Sequence, residues 1–175
     1  MITLEELLES RDARAAHQRE LLAKYPGCAL LCLTVQLPGA EKRNSLSLKI
    51  ARAGVEAVRR LGPLTEELKD LETGYEGYYI FDEDPVELKK KAVEIEDCHP
   101  LGRLFDLDVI DGQSESAMTG DVMPDLIGHL LDRSAIGLPP RKCLLCDNPA
   151  RYCMRAKTHT TEELLKKIES LCAAY

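Results

Sequence analysis

The stretch HPLGRLFDLDVID, His99 to Asp111, decides how this chain is read. Between Leu104 and Val109 the residues alternate, with Phe105, Leu107 and Val109 on one side and Leu104, Asp106 and Asp108 on the other. A period of two marks an extended strand, whose successive side chains point to opposite faces. One face is apolar and asks for a core. The other carries carboxylates at i and i+2, close together on the same side, which costs free energy unless a cation lies between them. Oxygen donors of this kind suit Mg2+, which in phosphoryl-transfer sites bridges carboxylates and phosphates. Asp106 and Asp108 are therefore candidate Mg2+ ligands and catalytic residues. Arg103, read as part of the same strand, is a candidate catalytic cation because a guanidinium matches phosphate. Gly102 beside it permits close backbone approach. The competing reading is a solvated strand face whose acids point at water. Asp111, Glu96 and His99 are near in sequence as general bases, and nothing singles one out.

Outward from this strand the chain divides into helices and strands. Residues Thr3 to Lys24 read as an amphipathic helix bearing Leu4, Leu7, Leu8, Ala15, Leu21 and Leu22, with Thr3 and Glu6 as a capping box. Pro26 and Gly27 end it, and the apolar run Cys28 to Leu37 reads as a buried strand. After Pro38 and Gly39, a loop feeds a helix capped by Asn44 or Ser45, with Leu48, Ala51, Val55 and Val58 on one face. GYYIFDED predicts a short strand, and Asp84-Pro85 opens a helix running to Asp97. Residues 112–140 read as a loop excursion with a short helical patch near Leu126 to Leu131, and Thr160 or Thr161 caps a terminal helix. The outline is α-β-α-β-α-β with a final helix: an α+β fold in which helices cover a small mixed sheet, with residues 1–175 as a single domain.

A second cluster lies in CLLCDNPARYCMRAKTH. Cys143 and Cys146 form a C-x2-C pair, Cys153 and His159 follow, and Asn148-Pro149 signals a helix start between them. Such a knuckle with two further ligands makes a Cys3His tetrahedron, which Zn2+ favours. Against it, free cysteines are among the most buried residue types and behave as small hydrophobes. In that case Arg155 and His159 read better as phosphate contacts. Arg141, Lys142, Arg151, Arg155 and Lys157 make this the one basic neighbourhood in an acidic chain, a seat for phosphates or an acidic partner. Lys42 and Arg43 precede a helix N-terminus, a natural anion site. His17 and His129 fall on helix surfaces, and Cys28, Cys32 and Cys172 belong to the core.

Composition bounds the answer. Seven cysteines, an odd number without a secretory leader, read as reduced thiols or metal ligands rather than a disulfide scaffold. A net charge of −7 argues against a nucleic-acid footprint. Without an apolar run of about 18 residues the chain does not read as a membrane span, so a soluble, cytoplasmic protein is expected.

Four blocks in order, SRDARAAHQ, PGAEKRNS, HPLGRLFDLDV and GLPPRKCLLC with ARYCMRAKTH, make the chain resemble the apo-citrate lyase phosphoribosyl-dephospho-CoA transferase family. The resemblance implies transfer of the prosthetic group of 2′-(5″-triphosphoribosyl)-3′-dephospho-CoA to a serine of the citrate lyase acyl carrier subunit, with release of pyrophosphate. It implies no nucleic-acid or membrane partner. A related transferase that primes malonate decarboxylase relies on a D-x-D, which falls here on Asp106 and Asp108. Under this reading Arg103 faces the phosphates, with Lys42, Arg141, Arg155 and His159 as substrate contacts. Residues 112–130 are longer and less regular than the family's usual link, and read as a lid or as an insertion without function. The G-S helix motif of polymerase-β-like enzymes is missing, so a nucleotidyltransferase-like fold is compatible with the sequence but not indicated by it. The rival from another class is a non-catalytic, zinc-stabilised adaptor that binds an acidic acyl carrier through Arg141 to Lys157.

Overall fold

A computed structural model describes residues 3–112 and 128–175, and the proposed lid and Leu126 fall largely or wholly outside them. The elements are α1 (Leu4–Lys24), β1 (Ala29–Val35), α2 (Ser45–Arg59), β2 (Thr65–Leu71), β3 (Gly74–Phe81), α3 (Pro85–Cys98), β4 (Phe105–Asp111), β5 (His129–Leu131), α4 (Ala150–Ala156) and α5 (Thr161–Ala174). The α+β class is as expected. The strands lie in the order β2-β3-β1-β4-β5, and every recorded pairing is antiparallel, so the sheet is not mixed. The reason is topological. The crossover through α3 does join two parallel strands, β3 and β4, but β1 is inserted between them in a split β-α-β arrangement.

Local signals explain the helices. Thr3 and Glu6 form the capping box of α1, Asn44 and Ser47 that of α2, and Thr160 and Glu163 that of α5. Asp84 accepts from the Val86 and Glu87 amides, and Pro85 occupies the first helical position of α3.

The alternation read in β4 sorts the two faces of the sheet. Leu31, Leu33, Tyr79, Phe105, Leu107 and Val109 pack with residues of α2, α3 and α5 in the larger core. Leu30, Cys32, Tyr78, Ile80 and Ile110 face the other way, against Leu21 and Leu22 of α1. Here α1 departs from expectation. Its contacts with the sheet come from Arg14, His17, Gln18, Leu21 and Leu22, whereas Leu8 is 49% exposed; His17, expected on the helix surface, instead sits edge-on against Tyr78 with Nε2 3.0 Å from Glu67. Only the last turns of α1 are apolar toward the sheet.

Three further expectations change. Leu104 and Arg103 belong to a 3-10 turn, Gly102–Leu104, that precedes the strand. The close approach at Gly102 is to α3, because a Cβ there would lie 2.3 Å from the Ile95 carbonyl oxygen. Finally, His129 lies on strand β5 rather than on a helix, and Leu131 is buried, so the described end of the 112–140 excursion rejoins the sheet. None of the described helices is long and apolar enough to cross a membrane.

Candidate functional site

The register places two rows across the sheet: Glu76, Thr34 and Asp106, then Tyr78, Cys32 and Asp108. A third row, Ile80, Leu30 and Ile110, is sealed by α1. The acids of β4 therefore stand where the apolar cover gives out. Asp106 is 42% exposed at its side chain, and Asp108 is half-buried next to Cys32. Burial, then the neighbouring Asp106 charge, pushes the Asp108 acid up to about 6 from its ordinary 3.8, with Lys89 and Arg141 opposing. Burial likewise drives the Cys32 thiol up to about 12, so it is a neutral member of this face.

The cations beside the acids come from the free edge of β4. Among the described residues, strand β5 pairs with Val109 to Asp111 only, and the peptide groups at Leu107 have no strand partner there. Helix α3 supplies side chains instead: Lys89 Nζ donates to the Leu107 carbonyl at 2.9 Å, and the Leu107 amide donates to Glu96 Oε1 at 2.9 Å. Both side chains are buried. Glu96 in turn pairs with Arg141, and with Arg133 at 3.5 Å. Arg133 also holds Asp97 at 2.7 Å. Arg141 Nη1 donates to the Phe105 carbonyl at 3.0 Å and lies 4.0 Å from Asp106 Oδ1.

Arg141 is thus the predicted cation that the structure brings to the acids. Arg103 is placed elsewhere, its guanidinium donating to the carbonyls of Lys142 and Cys143. Lys42 donates to the Leu37 carbonyl at 2.6 Å, and Arg43 is tied to Asp70. Arg155 is exposed on α4. Of the base candidates, Glu96 is occupied in the ion network. His99 Nδ1 accepts the Leu101 amide at 3.0 Å, its ring sits against Phe105 and Tyr175, and burial lowers its pKa.

Lys89 and Arg133 were missed by sequence reasoning, and Glu96, named there only among three general-base candidates, serves instead as an anchor of the ion network. Lys89, Val93 and Glu96 recur at i, i+4 and i+7 on the buried side of α3, which is the signal that two charges share an inward stripe. Arg133 carries no such signal.

The Cys3His expectation meets its four residues together. The ligand atoms of Cys143, Cys146, Cys153 and His159 all lie within 4.8 Å of one another, a cluster that suits a metal ion.

Similarities to known proteins run along nearly the whole chain. The sequence model of the apo-citrate lyase phosphoribosyl-dephospho-CoA transferase family matches residues 2–175. A protein of Escherichia coli O1:K1 / APEC carrying that name is 36% identical over 176 residues, covering 97% of this chain and 88% of its own length; the Shigella boydii serotype 18 protein matches equally. Protein CitXG of Haemophilus influenzae is 35% identical across 97% of this chain, which spans only 35% of that longer relative.

Proposed function

The chain belongs to the apo-citrate lyase phosphoribosyl-dephospho-CoA transferase family, and from that premise we propose that it transfers the phosphoribosyl-dephospho-CoA group of 2′-(5″-triphosphoribosyl)-3′-dephospho-CoA to a serine of the citrate lyase acyl carrier subunit. The serine oxygen forms a bond to the phosphorus nearest the ribose, the bond from that phosphorus to the outer phosphates breaks, and pyrophosphate leaves. The hydroxyl proton is lost. This is nucleotidyl-type chemistry whose nucleophile belongs to the partner, so this chain needs no catalytic serine or cysteine of its own. Its share is positioning and charge neutralisation.

The observation that carries the reading is the open acidic pair of β4 with Arg141 4.0 Å from Asp106. Asp106 and Asp108 offer hard oxygen donors, and the Asp108 acid is raised by burial first and by the Asp106 charge second, so a divalent cation between the two would favour the ionised pair. Mg2+ held there would neutralise the triphosphate. Arg141, fixed by Glu96 and the Phe105 carbonyl, is oriented to take a phosphate oxygen beside Asp106. Arg155 remains a candidate contact for outer phosphates or for the carrier. Arg103 acts on the loop that carries Arg141 rather than on substrate.

Incubating the protein with apo-carrier, the triphosphate precursor and Mg2+ tests this directly. The carrier mass should rise by the prosthetic group, and pyrophosphate should appear in equal amount. An unchanged carrier under conditions where both substrates are shown to bind would replace the enzyme by the adaptor reading.

A further inference from the structure

Between Asp132 and Thr160 the chain has almost no core of its own. Cys153 is the one buried residue in that span, while Tyr152 and Met154 are 59% and 71% exposed. From Leu138 to Pro149 it forms neither helix nor strand, save an isolated bridge between Lys142 and Pro149. Yet it is tightly turned. The Cys143 amide donates to the Asn148 carbonyl at 2.7 Å, and the Ala150 amide to the Arg141 carbonyl at 2.8 Å. Lys157 takes φ +50, a left-handed conformation unfavourable for a residue with a Cβ, and so returns the chain toward Cys153. Something other than apolar burial holds this segment.

We propose that Cys143, Cys146, Cys153 and His159 bind one Zn2+ ion as a structural clamp, and that the clamp positions Arg141 at the acidic pair. A regular tetrahedron with about 2.3 Å Zn–S and about 2.0–2.1 Å Zn–N bonds separates sulfurs by about 3.8 Å and sulfur from nitrogen by about 3.6 Å. Cys146 Sγ lies 3.5 Å from Cys153 Sγ and 3.3 Å from His159 Nε2, and all four donor atoms fall within 4.8 Å. The Leu145 amide is directed at Cys143 Sγ at 3.5 Å, as suits a thiolate ligand. Four protein ligands leave no open position, so the ion is structural and not catalytic. For a segment without a core, metal-binding free energy is folding free energy. The left-handed turn at Lys157 is what brings His159 round to complete the set.

The clamp reaches the acids through the backbone. Arg103 holds the carbonyls of Lys142 and Cys143 on the body of the protein, and Arg141 is the residue immediately before. Release of the metal would free this loop and with it the Arg141 guanidinium. That second half of the proposal rests on the transferase reading; the metal site does not.

The reduced protein, purified without chelator, should contain about one zinc per chain. After removal of zinc it should take up Co2+ with the visible absorption of a tetrahedral thiolate complex. Cys146→Ser and His159→Ala should each lose the metal and be cleaved by protease between residues 137 and 160 at least about tenfold faster than the parent. Cys98→Ser, at an exposed cysteine outside the cluster, should retain it. Because the variants can fail to fold, the parent protein supplies an independent arm: chelation should accelerate the same cleavage, and added Zn2+ should restore resistance. Absence of zinc together with no Co2+ spectrum in the reduced parent would overturn the site, as would full zinc retention in both ligand variants. Zinc loss without any fall in transfer would overturn the link to Arg141. Zinc present in a protein that binds both substrates without transfer would leave the clamp standing and remove the transferase reading.

Discussion

Asp108 carries a cost to stability that the proposed function would explain. Its carboxyl titrates at about 6 because burial and Asp106 disfavour the anion. At neutral pH the native state therefore holds a charge that the unfolded chain accommodates more easily. Asp108→Asn keeps the shape and removes that charge, so the melting temperature should rise by a few degrees, given that ~1 kcal/mol moves it by ~2–4 °C at this size. Transfer should fall by about 10²-fold or more, the scale typical of losing one electrostatic group at a transition state. Calorimetry beside the mass assay checks both; a variant with near-normal turnover would remove Asp108 from the mechanism. Arg103 makes the converse point. Its type suits phosphate, but its Nη2 donates to the carbonyls of Lys142 and Cys143, which turns the guanidinium to the loop.

Among the elements, α3 supports the candidate site although the sequence offered only Glu96 from it, and that as a general base rather than an anchor. It satisfies the free edge of β4 through Lys89 and Glu96, and Glu96 anchors both Arg133 and Arg141. Glu96→Ala would leave the Leu107 amide and two guanidinium groups without their buried partner. Loss of one member of a buried ionic network costs about 3–5 kcal/mol. Denaturant unfolding should show a loss of that order, and transfer in the surviving folded fraction should drop because Arg141 is no longer held. Strand β2 was not legible for a related reason. Its sequence, TEELKDL, is rich in residues that favour helices, and its strand state comes from the hairpin with β3, which supplies the partner that propensity lacks.

At the scale of the whole molecule, the raised Asp108 acid makes stability depend on pH, and the proposed cation site would make it depend on divalent cation as well. An acid whose native pKa is raised from 3.8 to about 6 binds protons more readily folded than unfolded. Its unfavourable contribution is full above pH 6 and fades as pH falls toward 4, where the native state has already taken up the proton. A cation bound between Asp106 and Asp108 favours the ionised form. Added Mg2+ should therefore raise the melting temperature clearly at pH 8 and little at pH 5, with saturating metal worth about 2.7 kcal/mol at a hundred times its dissociation constant. Differential scanning fluorimetry at the two pH values measures it. Equal shifts at both, or none, would place the cation away from this pair.

The sequence by itself determined the local elements: three capping boxes, the Asp84-Pro85 helix start, and the period of two that puts Asp106 and Asp108 opposite Phe105 and Leu107. It also brought Cys143, Cys146, Cys153 and His159 into one set, because short turns keep residues that are near in sequence near in space. These features depend on neighbours within a few residues. Only the tertiary structure decided that β1 lies between β3 and β4, that Arg141 rather than Arg103 stands at the acids, and that Lys89 and Glu96 close the strand edge. Each of those depends on which strand occupies which slot and on which backbone groups that choice leaves unpaired. Periodicity along one segment cannot encode it, since the Leu107 peptide groups turn to side chains of α3 where, among the described residues, β5 pairs beyond them.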